Sequence, residues 1–503
     1  MRKTLFNALL WSCGLWGLTA HAEGNVPTRP GVMESPRQRV IVLTDVENEP
    51  DDTQSLIRLL LYSNDLDIKG IIATTSTHMR NRVAPENIFT LMEAYGKVHA
   101  NLLLHDAGYP SPDYLKSVVK AGLPRYGMNG VGKGKNSEGS EWIISELKRP
   151  DKRPLWITAW GGTSVLAQAL YDMQKTMPEE EVSRLIGKLR IYAISDQDDT
   201  GWRIRKDFPD LFYIVSTGPY EDATWTGMSS QDSLANNEVV SDRWLAEHIQ
   251  QGHGPLGACY PDVAYSMEGD TPSFLGLVQN GLNNMEHPDW GGWGGRYEYY
   301  LPAYDESKQG PFGVPYKPES HPIWSHAEDT YIQYWSGGGE KPAPGEYPKV
   351  VKSQRATLWR WREEYQNDFA ARMDWCIKPY EKANHAPVPV VKMYTRVPDR
   401  ANDTPQRQLI PDFTVKSGQL FTLDATGTMD PDGDNLSYFW FNYPEAGTYP
   451  TFIPVGDNPV IQHVRYQAPQ VEKETFLHFI LKVTDKGTPR LTAYNRIIVR
   501  VVP

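Results

Sequence analysis

Hydrophobic positions first fall into order at residues 39–44, Arg-Val-Ile-Val-Leu-Thr, where a short β-branched run reads as a strand buried on both faces. Behind it, Leu56, Leu59 and Leu60 recur at i, i+3 and i+4, which gives residues 53–62 one apolar helical face. Residues 68–74, Ile-Lys-Gly-Ile-Ile-Ala-Thr, make a second buried strand. Strand, helix and strand in so short a span predict a βαβ unit with parallel strands. The alternation continues through a helix over 85–95, an extended stretch over 98–104, a helix over 140–148, a strand over 154–159, a helix over 164–171, and strands over 189–194 and 211–215. This predicts an α/β domain over 38–383, a mostly parallel sheet with helices on both faces.

From about residue 220 to 335 the periodicity fades and Gly, Trp, Tyr and Pro accumulate. Long irregular stretches of this kind are usually functional or insertional. Residues 363–374 are the last helical stretch. After residue 383 the pattern turns to short alternating strands: 387–394 is extended, and 420–423, 437–441, 476–484 and 496–502 follow with turn residues between them. Residues 384–503 therefore predict an all-β, immunoglobulin-like sandwich.

Residues 1–22 read as an export signal, with Arg2 and Lys3 at the start, an apolar stretch over 5–18 and Ala20-His21-Ala22 as a small-x-small cleavage site. That stretch is too short to span a bilayer, so a secreted or periplasmic protein without a membrane anchor is expected. A lipoprotein cut before Cys13 is the other reading, which Trp11 and Ser12 fit poorly. Residues 23–37 are polar and rich in Pro and Gly, a linker. The chain of 503 residues suits two or three domains. A net charge of −11 with no basic run argues against nucleic-acid binding. Sixteen Trp and twenty-seven Tyr can build a large core or stack on flat ligands. Beyond the signal two cysteines remain, Cys259 and Cys376, and both a disulfide and two buried thiols are open to them.

One loop changes this picture. Asp45-Val-Glu-Asn-Glu-Pro-Asp51-Asp52 places acid upon acid at the carboxyl end of the first strand, the edge where ligands bind in open α/β sheets. Acidic residues also suit the first turn of a helix, and that accounts for Asp51 or Asp52. It does not account for Asp45 at the end of an apolar strand. Clustered carboxylates repel unless a cation neutralises them, and hard oxygens select Ca²⁺ or Mg²⁺.

The order strand, Thr-Asp, loop, Asp-Asp, apolar helix and Ile-Lys-Gly-Ile-Ile-Ala-Thr-Thr resembles the opening of the nucleoside hydrolases. The stretch Ile157-Thr-Ala-Trp-Gly-Gly-Thr-Ser164 resembles their segment whose backbone carbonyl binds calcium, and Glu268-Gly-Asp270-Thr-Pro-Ser-Phe resembles the one whose Asp closes the metal site. The resemblance implies a Ca²⁺ site of Asp45, Asp51, Asp52, the Ser164 carbonyl and Asp270. With Ile194-Ser-Asp-Gln-Asp-Asp, Phe208-Pro-Asp-Leu and Trp290-Gly-Gly-Trp-Gly-Gly-Arg-Tyr, the chain from about residue 38 onward resembles more closely a bacterial family of cellulose-binding proteins with a nucleoside-hydrolase-like domain. There are departures from the nucleoside hydrolases. Five residues separate Asp45 from Asp51 instead of three, Thr77-His78 stands near where those enzymes hold ribose, and Gly269 stands where they often carry a His that helps the departing base.

The implied chemistry is hydrolysis at an anomeric centre. A cation lowers the pKa of a water, Asp45 accepts its proton as general base, and Glu49, His78, Asp196, Asp198, Glu268 and Trp293 are candidates for substrate contact. For Asp196 and Asp198 an acidic turn is the competing reading, and for Trp293 the anchoring of a glycine-rich loop. Asp430-Pro-Asp432-Gly-Asp434 resembles a turn of PKD or cadherin-like repeats, open to calcium or to turn formation alone. Two functions follow. One is a metal-dependent hydrolase of an N-glycosyl or carbohydrate substrate. The other is a polysaccharide-binding protein, for cellulose among others, with the hydrolase cleft turned into a sugar pocket.

Overall fold

A computed structural model describes residues 36–308, 310, 313–394, 412–455 and 458–503. The expected export signal and nearly all of the linker lie outside the described residues. Eight strands form one sheet: β1 (Gln38–Thr44), β2 (Leu66–Ala73), β3 (Val119–Ala121), β4 (Leu155–Ala159), β5 (Leu189–Ser195), β6 (Phe212–Ser216), β7 (Tyr297–Tyr300) and β8 (Ile323–His326). Their order is β3-β2-β1-β4-β5-β6-β8-β7. All neighbours run parallel except β7, which is antiparallel to β8.

Successive residues of β1 feed opposite faces, because side chains alternate along a strand. Val40 and Val42 join a core with the helices Pro50–Leu61, Pro85–His105 and Arg362–Trp375. Ile41 and Leu43 join another with the helices Glu138–Lys148, Ser164–Thr176 and Glu179–Ile186. The sheet is therefore covered on both sides, as its unbroken apolar strands predict.

Two expectations fail locally. Residues 98–104, read as extended, continue the helix Pro85–His105. Leu91, Tyr95, Val98 and Leu102 are all buried at helical spacing, and the dense apolar run masked that period. The segment 220–335, read as irregular, supplies β7 and β8 at the sheet's far edge.

Beyond a small pair, β9 (Asp329–Ile332) with β10 (Val350–Ser353), the C-terminal part forms two sheets. One has the order β11-β13-β15 (Lys392–Tyr394, Leu420–Asp424, His463–Gln467). The other has the order β12-β17-β16-β14 (Phe413–Lys416, Thr492–Val502, Thr475–Thr484, Ser437–Asn442). Leu423 and Val464 of the first meet Trp440, Phe479 and Val499 of the second in a common core, which makes a sandwich. Its outer residues Phe441, Tyr443, Ile480 and Tyr494 join the α/β core beside Trp293, Trp361 and Tyr365. Cys259 and Cys376 are free thiols. Among the described residues no helix is long and apolar enough to cross a membrane.

Candidate functional site

The parallel strands bring their carboxyl ends together, and the loops leaving β1, β2, β4 and β5 meet there. Asp45 leaves β1 and is buried. Five residues on, Pro50 sets the first turn of the next helix, which carries Asp51 and Asp52. Thr44 donates its hydroxyl to Asp52, and the Asp52 amide donates to Asp51 Oδ1 at 3.1 Å. Asp270 arrives from far along the chain, in a loop turned by Glu268 at φ 51°. Its carbonyl accepts from the Ser273 hydroxyl at 2.7 Å, and that hydroxyl in turn accepts from the Trp160 indole at 2.8 Å.

Ligand oxygens of Asp51, Asp52 and Asp270 lie within 4.8 Å of one another. Asp45 shares their field: its charge raises the carboxyls of Asp51, Asp52 and Asp270. Burial is the largest cause in all four. It lifts Asp45, lifts Asp52 and Asp270 well above the carboxylate range, and with Glu49 and Asp45 pushes Asp51 up to about 7. Asp270 Oδ2 is buried without a hydrogen-bond partner. Acidic oxygens drawn together, one of them orphaned, are the donor set that a hard divalent cation satisfies, so the residues fit a metal.

Gly161 is required here, since a Cβ would stand 2.5 Å from Asp45 Oδ1. Glu47, at φ 93°, turns away and pairs with Arg82.

A cavity of about 470 Å³ opens over these acids. Asp45, Glu49, Asp51, Asp52, His78 and Asp270 all line it. The other expected residues stand elsewhere. Ser164 is buried as the first residue of its helix and is not among the residues lining the cavity. Asp196 is clamped by Arg205 at 2.7 and 2.9 Å. Glu268 is fully buried against Arg58 at 2.5 Å and accepts from Tyr260 at 2.7 Å. Trp293 is core, 2% exposed, edge-on to Tyr365 and Tyr494. Asp198 is buried beside Gly162, with one oxygen bonded by Thr200 and the other unpartnered, and burial pushes it up to about 6.

The cavity also has walls that the motifs did not reveal: Gln197, Tyr220, Trp225, Tyr265 and Arg355. Gln197 sits inside the acidic turn already singled out. Tyr220 and Trp225 lie in the aperiodic segment, where only their composition marked them.

Two family models match the chain: "Cellulose-binding Sde182, nucleoside hydrolase-like domain" over residues 39–297, and "Cellulose-binding protein Sde0182, C-terminal domain" over residues 420–501. A solved structure from Saccharophagus degradans, a nucleoside hydrolase-related protein associated with carbohydrate metabolism, is 33% identical. The match covers 93% of this chain and 100% of that one, with a TM-score of 0.72. The effector protein XOO4466 aligns at 9% identity over 58% of this chain and 88% of its own, and its TM-score of 0.31 carries no argument. No curated protein matches the chain.

Proposed function

The chain belongs to the cellulose-binding Sde182 family with a nucleoside hydrolase-like domain, and on that premise we propose that its acidic cavity holds calcium and hydrolyses a carbohydrate or N-glycosyl substrate at the anomeric carbon, outside the cytoplasm. The observation that carries this reading is the set of four acids, Asp45, Asp51, Asp52 and Asp270, gathered on one cavity, with ligand oxygens of the last three within 4.8 Å of one another. Asp51, Asp52 and Asp270 would hold the cation, with Asp45 beside them. When bound, the cation supplies the positive charge that keeps these groups ionised and acidifies a nearby water.

The chain's own side chains then divide the work. Asp45, oriented by a hydrogen bond from Ser76, accepts a proton from the attacking water. The water oxygen forms the new bond to the anomeric carbon as the bond to the leaving group breaks, through a centre of oxocarbenium character and with inversion. Glu49 reaches a sugar hydroxyl from the rim. His78, on the same wall, gives a proton to the departing oxygen of a glycoside or nitrogen of an N-glycosyl group.

A second reading is binding without turnover, with cellulose chains as the ligand. One observation favours it: Glu268, the acid nearest in sequence to Asp270, is locked to Arg58 and cannot serve as leaving-group acid. Mature protein incubated with cello-oligosaccharides and with nucleosides, in calcium and in EDTA, separates the two. Product release that needs calcium and disappears in Asp45→Ala supports hydrolysis. Turnover unaffected by both EDTA and Asp45→Ala removes this mechanism, and retention on insoluble cellulose without product supports the second reading.

A further inference from the structure

Acids dominate the lining of the cavity, and one residue breaks that pattern. Among the described residues that line it, Arg355 alone carries a permanent positive charge. Asp45, Asp52 and Asp270 lie deep, at 3%, 5% and 2% exposure, whereas the Arg355 side chain keeps 35% of its surface open. The guanidinium therefore stands nearer the mouth, where solvent and a ligand reach it.

The fold fixes its position. The Gln354 side-chain amide donates to the Asp222 carbonyl at 2.9 Å, and the Arg355 backbone amide donates to Ser353 Oγ at 3.1 Å. Gly227 is pressed against the Arg355 backbone: a Cβ there would meet its carbonyl oxygen at 2.7 Å. The segment that brings Tyr220 and Trp225 to the cavity thus holds Arg355 as well. Arg355 Nη2 donates to Asp232 Oδ1 at 2.9 Å, and the other oxygen of Asp232 accepts from the Ser230 hydroxyl at 2.5 Å. Asp232 is not part of the lining. It orients the guanidinium through one nitrogen of three, and among the described residues Nε and Nη1 have no acceptor. A planar fork held in this way keeps paired N–H donors for a second oxyanion, the partner whose geometry it matches. A neutral sugar asks for no such charge, whereas an anionic group among these acids needs one, and a divalent cation at the floor offsets part of the acidic field that would repel it.

We infer that Arg355 receives an oxyanion of the substrate, so that the cavity takes acidic glycosides, with the anomeric carbon toward Asp45 and a carboxylate or phosphate toward the mouth. The inference rests on the reading of the cavity as a site for a cation and a glycoside, and it narrows the substrate class.

Calorimetry of the mature protein at saturating calcium tests it with two ligand pairs: cellobiose against cellobiouronic acid, and inosine against inosine 5′-monophosphate. The expected result is roughly tenfold tighter binding of the charged member in at least one pair; the first pair reports a carboxylate and the second a phosphate ester. Arg355→Gln brings that ratio close to one, and Arg355→Lys, which keeps the charge and loses the fork, retains part of it. Calcium titration reports that each variant is folded. In the wild type the ratio also shrinks between low salt and about 0.5 M sodium chloride, a readout that needs no variant. Equal affinities within both pairs overturn the inference, and so does a preference that Arg355→Gln leaves intact with calcium still bound. Calcium binding without a preference for the charged member leaves the metal reading standing and removes this one. A preference that depends on Arg355 in a protein that binds no calcium does the reverse.

Discussion

Asp329 and Asp270 are both buried carboxylates, 0% and 2% exposed, with opposite surroundings. Asp329 accepts from Arg296 at 2.7 Å, Arg360 at 2.8 Å and the Tyr443 hydroxyl at 2.6 Å. Burial pushes its carboxyl up, but the two guanidinium charges outweigh burial and hold it below the usual range. Asp270 stands beside other acids, and burial with the charges of Asp52, Asp51 and Asp45 raises it well above that range. The first carboxylate is satisfied by the fold and pins the sandwich, through Tyr443, to the α/β domain. The second keeps one oxygen without a partner in the fold, in a group of carboxylates that could hold a metal ion. Burial alone does not separate a structural acid from a functional one; the sign of the neighbouring charge does.

Removing each carboxylate should therefore have opposite consequences. Asp329→Ala takes the shared carboxylate from two buried guanidinium groups, leaving Arg296 with Glu298 and Arg360 with the Ser336 carbonyl, and the loss expected is about 3–5 kcal/mol, read by denaturant unfolding. A variant as stable as the wild type would mean that the clamp is not what joins the two parts.

Calcium comes next in size. At a hundredfold excess over its dissociation constant it should stabilise the wild type by about 2.7 kcal/mol, seen as a rise in Tm that EDTA reverses. Asp270→Asn should lose that rise and Asp329→Asn should keep it. A calcium response that survives Asp270→Asn would put the cation elsewhere.

In EDTA the sign itself is the test. Asp270→Asn removes a carboxyl that must be held protonated on burial among other acids, so the metal-free variant should be more stable than metal-free wild type by about 1 kcal/mol. Destabilisation there would place Asp270 with Asp329 as a structural acid.

The sequence carried the frame of this contrast but not its meaning. The apolar strands 39–44 and 154–159 and the leucine face behind Asp52 announced a parallel sheet with ligand-binding loops at one edge, because burial on both faces leaves strands without alternation. Asp45, Asp51 and Asp52 were visible as a local excess of charge, and Asp270 through a resemblance, since nothing in the spacing ties it to residues so far away. Asp329 was invisible. Its partners Arg296, Arg360 and Tyr443 are scattered through aperiodic stretches, and an isolated Asp in sequence carries no mark of the arginines that will meet it. Trp225 was missed for the same reason, whereas Gln197 lay inside an acidic turn that drew attention only to its carboxylates. Trp293, which composition offered as a sugar platform, is core because Tyr494 of the sandwich closes over it.

His105 gives a third way to bury a titratable group, as a neutral ring, and extends the contrast to bases. Its Nε2 lies 2.8 Å from the Lys378 carbonyl, which can only accept, so Nε2 carries the hydrogen. In a neutral His105 its Nδ1, 3.0 Å from His385 Nε2, must then accept from that nitrogen. His385 Nδ1 faces the Asp432 carboxylate at 3.0 Å, so His385 donates from both nitrogens and is the charged member. Trp375 and Tyr380 stack on the pair. Burial first, and the His385 charge after the opposing Lys378 hydrogen bond, lower His105 to about 4. A group depressed in this way binds more protons unfolded than folded between its two values. Stability should thus fall as pH drops from 6.5 toward 4 and should not depend on this group above pH 7. The shift is smaller than those above and is isolated by comparison: Tm measured from pH 7.5 to 5 should fall less steeply in His105→Gln than in wild type. Parallel slopes would mean that the ring takes up its proton without disturbing the contact between the helix Pro85–His105 and the Asp432 turn.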